Sequence, residues 1–295
     1  MAELNRREIL ELAGASALAP LAPRVGGIVA CMHEATSTSF DFRPAMEGYS
    51  RAGIRAVEVM LTKAREFADK NSVASAKRLL DDLGLRVVST SNQLGLAEPS
   101  ATRPKNLEEL RWKCELAQAL GCDRIVAPTL TRDAFTEDDY KRGADNLREA
   151  GDIARPYNVT LMVEFTRLST FVGTLSSALH VVRSASHPNV RVMMDTYHFW
   201  GGVSKFEDLE LLRDGELHHL HFEDVPASPL REQLEQRHRA FPGQGIAPLR
   251  RILEVLKRKK YAGPASVELF DPTIQATDPY TVAQRARSAV DALLG

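Results

Sequence analysis

Cysteine is scarce: three in 295 residues (Cys31, Cys114 and Cys122), none in a CxxC pair. A disulfide framework and a cysteine-built zinc knuckle are therefore not expected. An excess of charge is missing too, with 38 Lys+Arg against 39 Asp+Glu and a net charge of -1. Nucleic-acid binding would need a basic stripe, so no nucleic-acid partner is expected. No apolar run approaches the roughly 18 residues of a membrane helix, so no membrane partner is expected either. The 18 Gly and 15 Pro are spread along the chain and leave no low-complexity stretch. With 44% hydrophobic residues, what remains is a soluble, compact, enzyme-sized chain.

Residues 1–23 stand apart. MAELNRREILELAGASALAPLAP places Arg6-Arg7 ahead of an Ala/Leu-rich stretch that ends in prolines, as a twin-arginine export signal does. Glu8 and Glu11 interrupt that stretch, and Ile9, Leu10 and Leu12 equally fit an amphipathic helix packed on the main domain. The working expectation is an N-terminal extension on a cytoplasmic protein, with export as the alternative. Residues 24–295 are read as one catalytic domain.

From Arg24 onward, short apolar runs alternate with helical patterns. The runs are Gly26–Met32, Ala56–Met60, Arg86–Ser91, Arg124–Pro128, Thr160–Phe165, Arg191–Asp195, Leu217–Phe222 and Ala265–Leu269. Each is bounded by Gly, Pro or polar residues, as a parallel strand buried on both faces should be. Helical spacing recurs between them over Asn106–Leu120, Asp138–Tyr157, Thr174–Ser186, Pro248–Arg258 and Pro279–Leu294. Gly53, Gly84, Gly121 and Gly263 stand where a left-handed cap would end a helix. Eight such units predict an α/β fold, a single (β/α)8 TIM barrel. An open doubly wound sheet would bring a glycine fingerprint after its first strand, and CMHEATSTSF carries none.

Chemistry in such a barrel sits at the C-terminal ends of the strands. Strand two ends in VEVM with Glu58, strand five in LMVEF with Glu164, and strand six in VMMD with Asp195, followed by His198. Strand seven reads LHHLHFED with His221, and strand eight SVELF with Glu268. A lone carboxylate in an apolar strand costs several kcal/mol, so it needs a cation, a metal or a hydrogen-bond network. Glu164, Asp195, His221 and Glu268 lie on consecutive strands and can converge on one divalent ion: Mn or Zn first, Mg or Co next. The plainer alternative is that each acid pairs with a nearby Arg167, Arg191 or Arg239. His219 shares the inward face of His221 one layer deeper and reads as a packed, hydrogen-bonded neighbour. His180, His187, His218 and His238 read as surface or loop residues. Pro242–Gly245 (PGQG) reads as a plain loop rather than a phosphate cradle.

DTYHFWGG (Asp195–Gly202), RAFPGQG (Arg239–Gly245) and VELFDP (Val267–Pro272) together resemble the xylose-isomerase-like TIM-barrel family of sugar isomerases and epimerases. The resemblance runs from Arg24 to the end, and HEATS, HF, PGQG and VELF are most similar to its inosose (2-keto-myo-inositol) isomerase branch. It implies Glu164, Asp195, His221 and Glu268 as metal ligands, with His198 and Arg239 facing substrate oxygens. Glu58 joins these two as a substrate-binding candidate. In the ketohexose 3-epimerase branch a second Glu follows six residues after the strand-five ligand; here that position is Thr170.

The expected activity is a metal-dependent isomerase or epimerase of a keto-polyol or keto-sugar working through an enediolate. Glu164 and Glu268 would be the acid/base pair, each using one oxygen for the ion and the other for the proton. The alternative is a lyase on the same scaffold, a dehydratase or a 3-keto-glycoside-cleaving enzyme. An endonuclease and a non-catalytic binding barrel fit less well. A homo-oligomer is compatible with the sequence.

Overall fold

A computed structural model describes residues 27–295. The expectations for residues 1–23 lie outside the described residues. Eight parallel strands close into a barrel in sequence order, β1 hydrogen-bonding both β2 and β8. They are β1 (Val29–His33), β2 (Ala56–Met60), β3 (Arg86–Ser91), β4 (Arg124–Pro128), β5 (Thr160–Glu164), β6 (Val190–Asp195), β7 (Leu217–His221) and β8 (Pro264–Val267). The outer ring holds α1 (Phe42–Arg51), α2 (Leu61–Lys70), α3 (Val73–Asp82), α4 (Arg103–Ala119), α5 (Glu137–Ala154) and α6 (Leu175–Ala185). After α7 (Thr196–Gly201) come α8 (Leu249–Arg258), α9 (Pro272–Gln275) and α10 (Pro279–Leu294).

The strands form where β-branched and aliphatic residues are buried on both faces. Their outward side chains, such as Val57, Ile125, Leu161 and Val192, join the helices' apolar stripes in one large core cluster. Two boundaries differ from expectation in ways that bear on the site. β1 runs one residue further, to His33, and β8 stops at Val267, which leaves Glu268 just past the strand; α1 to α3, to which the sequence reading gave no bounds, lie either side of β2 within residues 42–82. Gly53, Gly84 and Gly121 do take positive φ, but before β8 that turn falls on Lys260 (φ 59) and not on Gly263. Gly263 is needed for another reason: a Cβ there would lie 2.7–2.9 Å from the Tyr261 ring. Among the described residues no helix is long and apolar enough to cross a membrane.

Candidate active site

Alternate residues of each strand face the barrel axis. Near its middle, Cys31, Ala56 and Val88 form one small apolar cluster, and Val126, Met162 and Met193 another. Two residues onward along those strands stand His33, Glu58, Glu164 and Asp195, and the same layer takes His221 and Glu268 from β7 and the end of β8. Ligand atoms of Glu164, Asp195, His221 and Glu268 all lie within 4.8 Å of one another, and all four residues are buried. His221 is the hub. Its Nδ1 is 3.3 Å from Glu164 Oε1, 3.4 Å from Glu268 Oε2 and 3.9 Å from Asp195 Oδ2.

The other side of that ring is held by Glu58. His221 Nε2 lies 3.1 and 3.2 Å from the two Glu58 oxygens, His219 Nε2 is 2.6 Å from Oε2, and His33 Nε2 is 3.3 Å from Oε1. Burial would raise the Glu58 pKa, but His221, His33 and His219 together hold it well below the usual range. Glu58 is fully buried beneath the cluster. The sequence reading made Glu58 a substrate-binding candidate; instead three imidazoles occupy its oxygens, and it is not among the residues lining the cavity at this site. His219 does sit one layer deeper, as expected.

Arg239 closes one flank. Its Nη1 reaches Asp195 Oδ2 at 2.6 Å, Glu223 Oε1 at 2.8 Å and Glu268 Oε2 at 3.0 Å, while Nη2 donates to His198 Nε2 at 3.2 Å. The plainer reading is thus realised for Arg239, whereas Arg167 and Arg191 give their guanidinium hydrogens to backbone carbonyls. Burial pulls the His198 ring down to about 4, so it is neutral near pH 7. His198 and Arg239 are only 2% and 4% exposed. They are turned to the carboxylates rather than to open space, which departs from the expected contact with substrate oxygens.

The loop carrying Arg239 is shaped by Asp224, whose side chain accepts from Val225 N, Gly243 N and Ala247 N at 2.8–3.0 Å. The Gly243 amide is thereby committed to a carboxylate of the chain itself, so PGQG is a structural turn and not an anion cradle. His187, expected as a surface or loop residue, does lie in the loop between α6 and β6 but is buried there, with Nε2 3.4 Å from Asp152.

The two candidate acid/base carboxylates differ in character. Burial, with Asp195 and Glu268 nearby, raises Glu164 to about 7 against the pull of His221. Burial also opposes ionisation of Glu268, but His221, His33 and Arg239 outweigh it and bring the group down to about 2. Both line a cavity of about 110 Å³ together with His33, His221, Lys113 and Phe270. Drug-sized pockets span roughly 300–1,000 Å³, so the occupant here is small.

Three polar residues of this region escaped the sequence reading. His33 ends β1 as the others end their strands, and the signal was present but the strand was ended at Met32. Glu223 lies past β7 in a stretch that looks like an ordinary polar loop; burial and the nearby Asp195 raise its pKa well above normal. Lys113 comes from the middle of α4, where a lysine reads as solvent-facing.

The buried atoms test whether a cation fits. His221 Nδ1 and Glu164 Oε1 are fully buried without a hydrogen-bond partner, although they face each other across 3.3 Å. Burial disfavours a charged His221 ring, yet Glu58 and Glu268 raise its pKa well above normal. The position calls for positive charge, and one nitrogen with three carboxylates is a donor set that suits a divalent metal ion.

A family model described as "Xylose isomerase-like TIM barrel" matches residues 47–293, and the chain belongs to that family. It is 32% identical over 169 residues to an inosose isomerase of Halalkalibacterium halodurans, covering 56% of this chain and 60% of that protein. It is 26% identical over 254 residues to a 3-dehydroshikimate dehydratase of Pseudomonas putida, covering 84% of this chain and 38% of that protein. The matched part thus spans less than two thirds of either relative's length. Among solved structures, the IolI protein with a bound zinc atom superposes with a TM-score of 0.84 at 23% identity, over 90% of this chain and 98% of that one. That likeness shows a shared fold.

Proposed function

We propose that this member of the xylose isomerase-like TIM-barrel family is a divalent-metal-dependent isomerase or epimerase of a small keto-polyol or keto-sugar, similar in activity to inosose isomerases. The observation that carries the reading is the buried, unpartnered pair of His221 Nδ1 and Glu164 Oε1 amid Asp195 and Glu268. Glu164, Asp195, His221 and Glu268 would hold the ion, with Mn or Zn the first expectation and Mg or Co next. When bound, a divalent ion polarises a substrate carbonyl and so acidifies the neighbouring C–H.

The chain's own residues do the rest. Glu164, held near neutrality by burial, takes that proton, since a base works best with a pKa near the working pH. Glu164 returns that proton to the adjacent carbon, while Glu268, at the end of β8 and ionised beside His221, His33 and Arg239, accepts the proton of the neighbouring hydroxyl and passes it to the former carbonyl oxygen. Glu58 fixes the His221 ring from behind. Arg239 balances the charge of Asp195 and Glu268, so the acids are not left facing one another unpaired.

A second reading, a dehydratase, shares the first proton transfer but expels hydroxide from the neighbouring carbon. It is favoured by the reach of the dehydroshikimate dehydratase match, 84% of this chain. Both are tested by following deuterium from solvent into keto-polyols with the metal-loaded protein. Uptake without loss of water supports the isomerase, and uptake with loss of water supports the dehydratase. Glu164→Gln and Glu268→Gln should lower turnover by at least about a hundredfold while retaining most of the metal. Unchanged exchange in both variants would remove these residues from proton transfer.

A further inference from the structure

Lys113 is an unusual resident of the cavity. It projects from α4, its side chain is only 10% exposed, and it lines the space that Glu164, His221 and Glu268 line. An ammonium carries three donors and loses much when taken from water. Among the described residues its Nζ has one hydrogen bond, to Asn92 O at 2.8 Å, and one distant carboxylate, Glu109, at 3.9 Å. The Trp112 ring lies 5.6 Å away. Burial lowers its pKa, with Glu109 opposing. Lys113 therefore brings positive charge and spare donor capacity into a closed space, and Glu109 is itself 39% exposed and screened by solvent. At the other side, the positive charge of Arg239 is already matched by Asp195, Glu223 and Glu268. Anionic demand in the cavity is thus left at Lys113.

We infer that Lys113 is a specificity-determining residue that binds a carboxylate at the end of the substrate remote from the reacting ketone, which keeps the proposed proton transfer but narrows the substrate class to keto-sugar acids, away from neutral ketones such as inosose. The inference rests on the proposed reading of the site, since it assumes that the ketone lies toward Glu164 and Glu268. The ammonium then gains a charge-assisted hydrogen bond that replaces the lost water. A neutral hydroxyl at the same place would leave the buried charge unmatched, which is how such a site rejects it.

D-fructuronate and D-fructose test this, because they differ only in a terminal carboxylate against a hydroxymethyl group. Calorimetric titration of the metal-loaded protein should show fructuronate binding at least tenfold more tightly than fructose. Lys113→Met should abolish that preference and Lys113→Arg should restore most of it. Where either sugar is turned over, the loss should fall on KM rather than kcat. A preference that survives in Lys113→Met would mean that the carboxylate is held elsewhere, and would overturn the inference. So would equal affinity of the wild type for both sugars, including no measurable binding of either. Thermal unfolding of each variant reports on the Asn92 contact: loss of preference without a large drop in midpoint separates ligand binding from fold support. Deuterium exchange keeps the two readings apart. Exchange without carboxylate preference overturns the role of Lys113 alone, whereas carboxylate preference without exchange overturns the proton-transfer reading alone.

Discussion

Arg239 places one guanidinium among Asp195, Glu223 and Glu268, all buried, so its removal leaves acids facing acids. Breaking a buried pair by deleting one partner costs about 3–5 kcal/mol. Arg239→Ala should lose stability of that order in urea without metal, and the deficit should shrink when zinc saturates the protein and supplies positive charge. Equal stability of variant and wild type would show that the acids find other partners. Glu34 offers a different test. It is fully buried, its Oε2 accepts from Met60 N at 2.8 Å, its Oε1 has no partner, and burial raises it to about 7. A folded value above the ordinary 4.5 means that ionisation works against the fold. The stability is full below about pH 4.5, falls as pH rises through about 7, and is level beyond. Glu34→Gln removes this dependence, so its stability relative to wild type should improve by up to about 3 kcal/mol between pH 4.5 and 8. Parallel denaturation curves across that range would contradict it.

At the scale of elements, the ring closes where α1 meets α10. A Cβ on Gly48 would lie 2.6 Å from Pro279 Cβ and 2.8 Å from Tyr280 N, so the contact admits only hydrogen. Gly48→Ala should destabilise by about 1–3 kcal/mol despite the better helix propensity of alanine. A gain in melting temperature would mean that α10 can shift outward at little cost. The same scale explains what the sequence could reveal. Strands buried on both faces read as apolar runs, and a charge inside one is conspicuous, which is why Glu58, Glu164, Asp195, His221 and Glu268 were legible. The direction in which a side chain leans is not written in that pattern. Glu58 reads as substrate-facing until three histidines are seen to hold it, and Arg239 until its carboxylates are seen. The helices ahead of Gly53 and Gly84 were implied but given no bounds, because their starts are unevenly marked: Ser72 caps α3, whereas α2 begins directly after β2, with Met60 in the cap position and no capping side chain. Lys113 was illegible for a related reason, since a lysine in mid-helix is ordinarily solvated and only the fold brings it to the cavity.

For the molecule as a whole, a ligand bound by the folded chain alone stabilises it by mass action. With zinc or manganese at about a hundredfold above its dissociation constant, the gain is about 2.7 kcal/mol, so chelation should lower the unfolding midpoint by several degrees. The shift should vanish in His221→Ala, whose metal affinity should fall sharply. A chelator-insensitive wild type would argue against a cation held by these four residues.

The hydrogen-bonded closure of β1 onto β8 has a temporal consequence. A nascent chain leaves the ribosome in sequence order, so Glu164, Asp195 and His221 emerge before Glu268 exists. Until β8 has been made and has zipped against β1 and β7, three of the four donors are without the fourth, and Glu58 has no fixed wall from which to steady His221. The full set of four cannot assemble piecemeal. On the proposed reading, a cation held by all four residues completes its coordination only after the last strand is translated, and so reports on a barrel that has already closed.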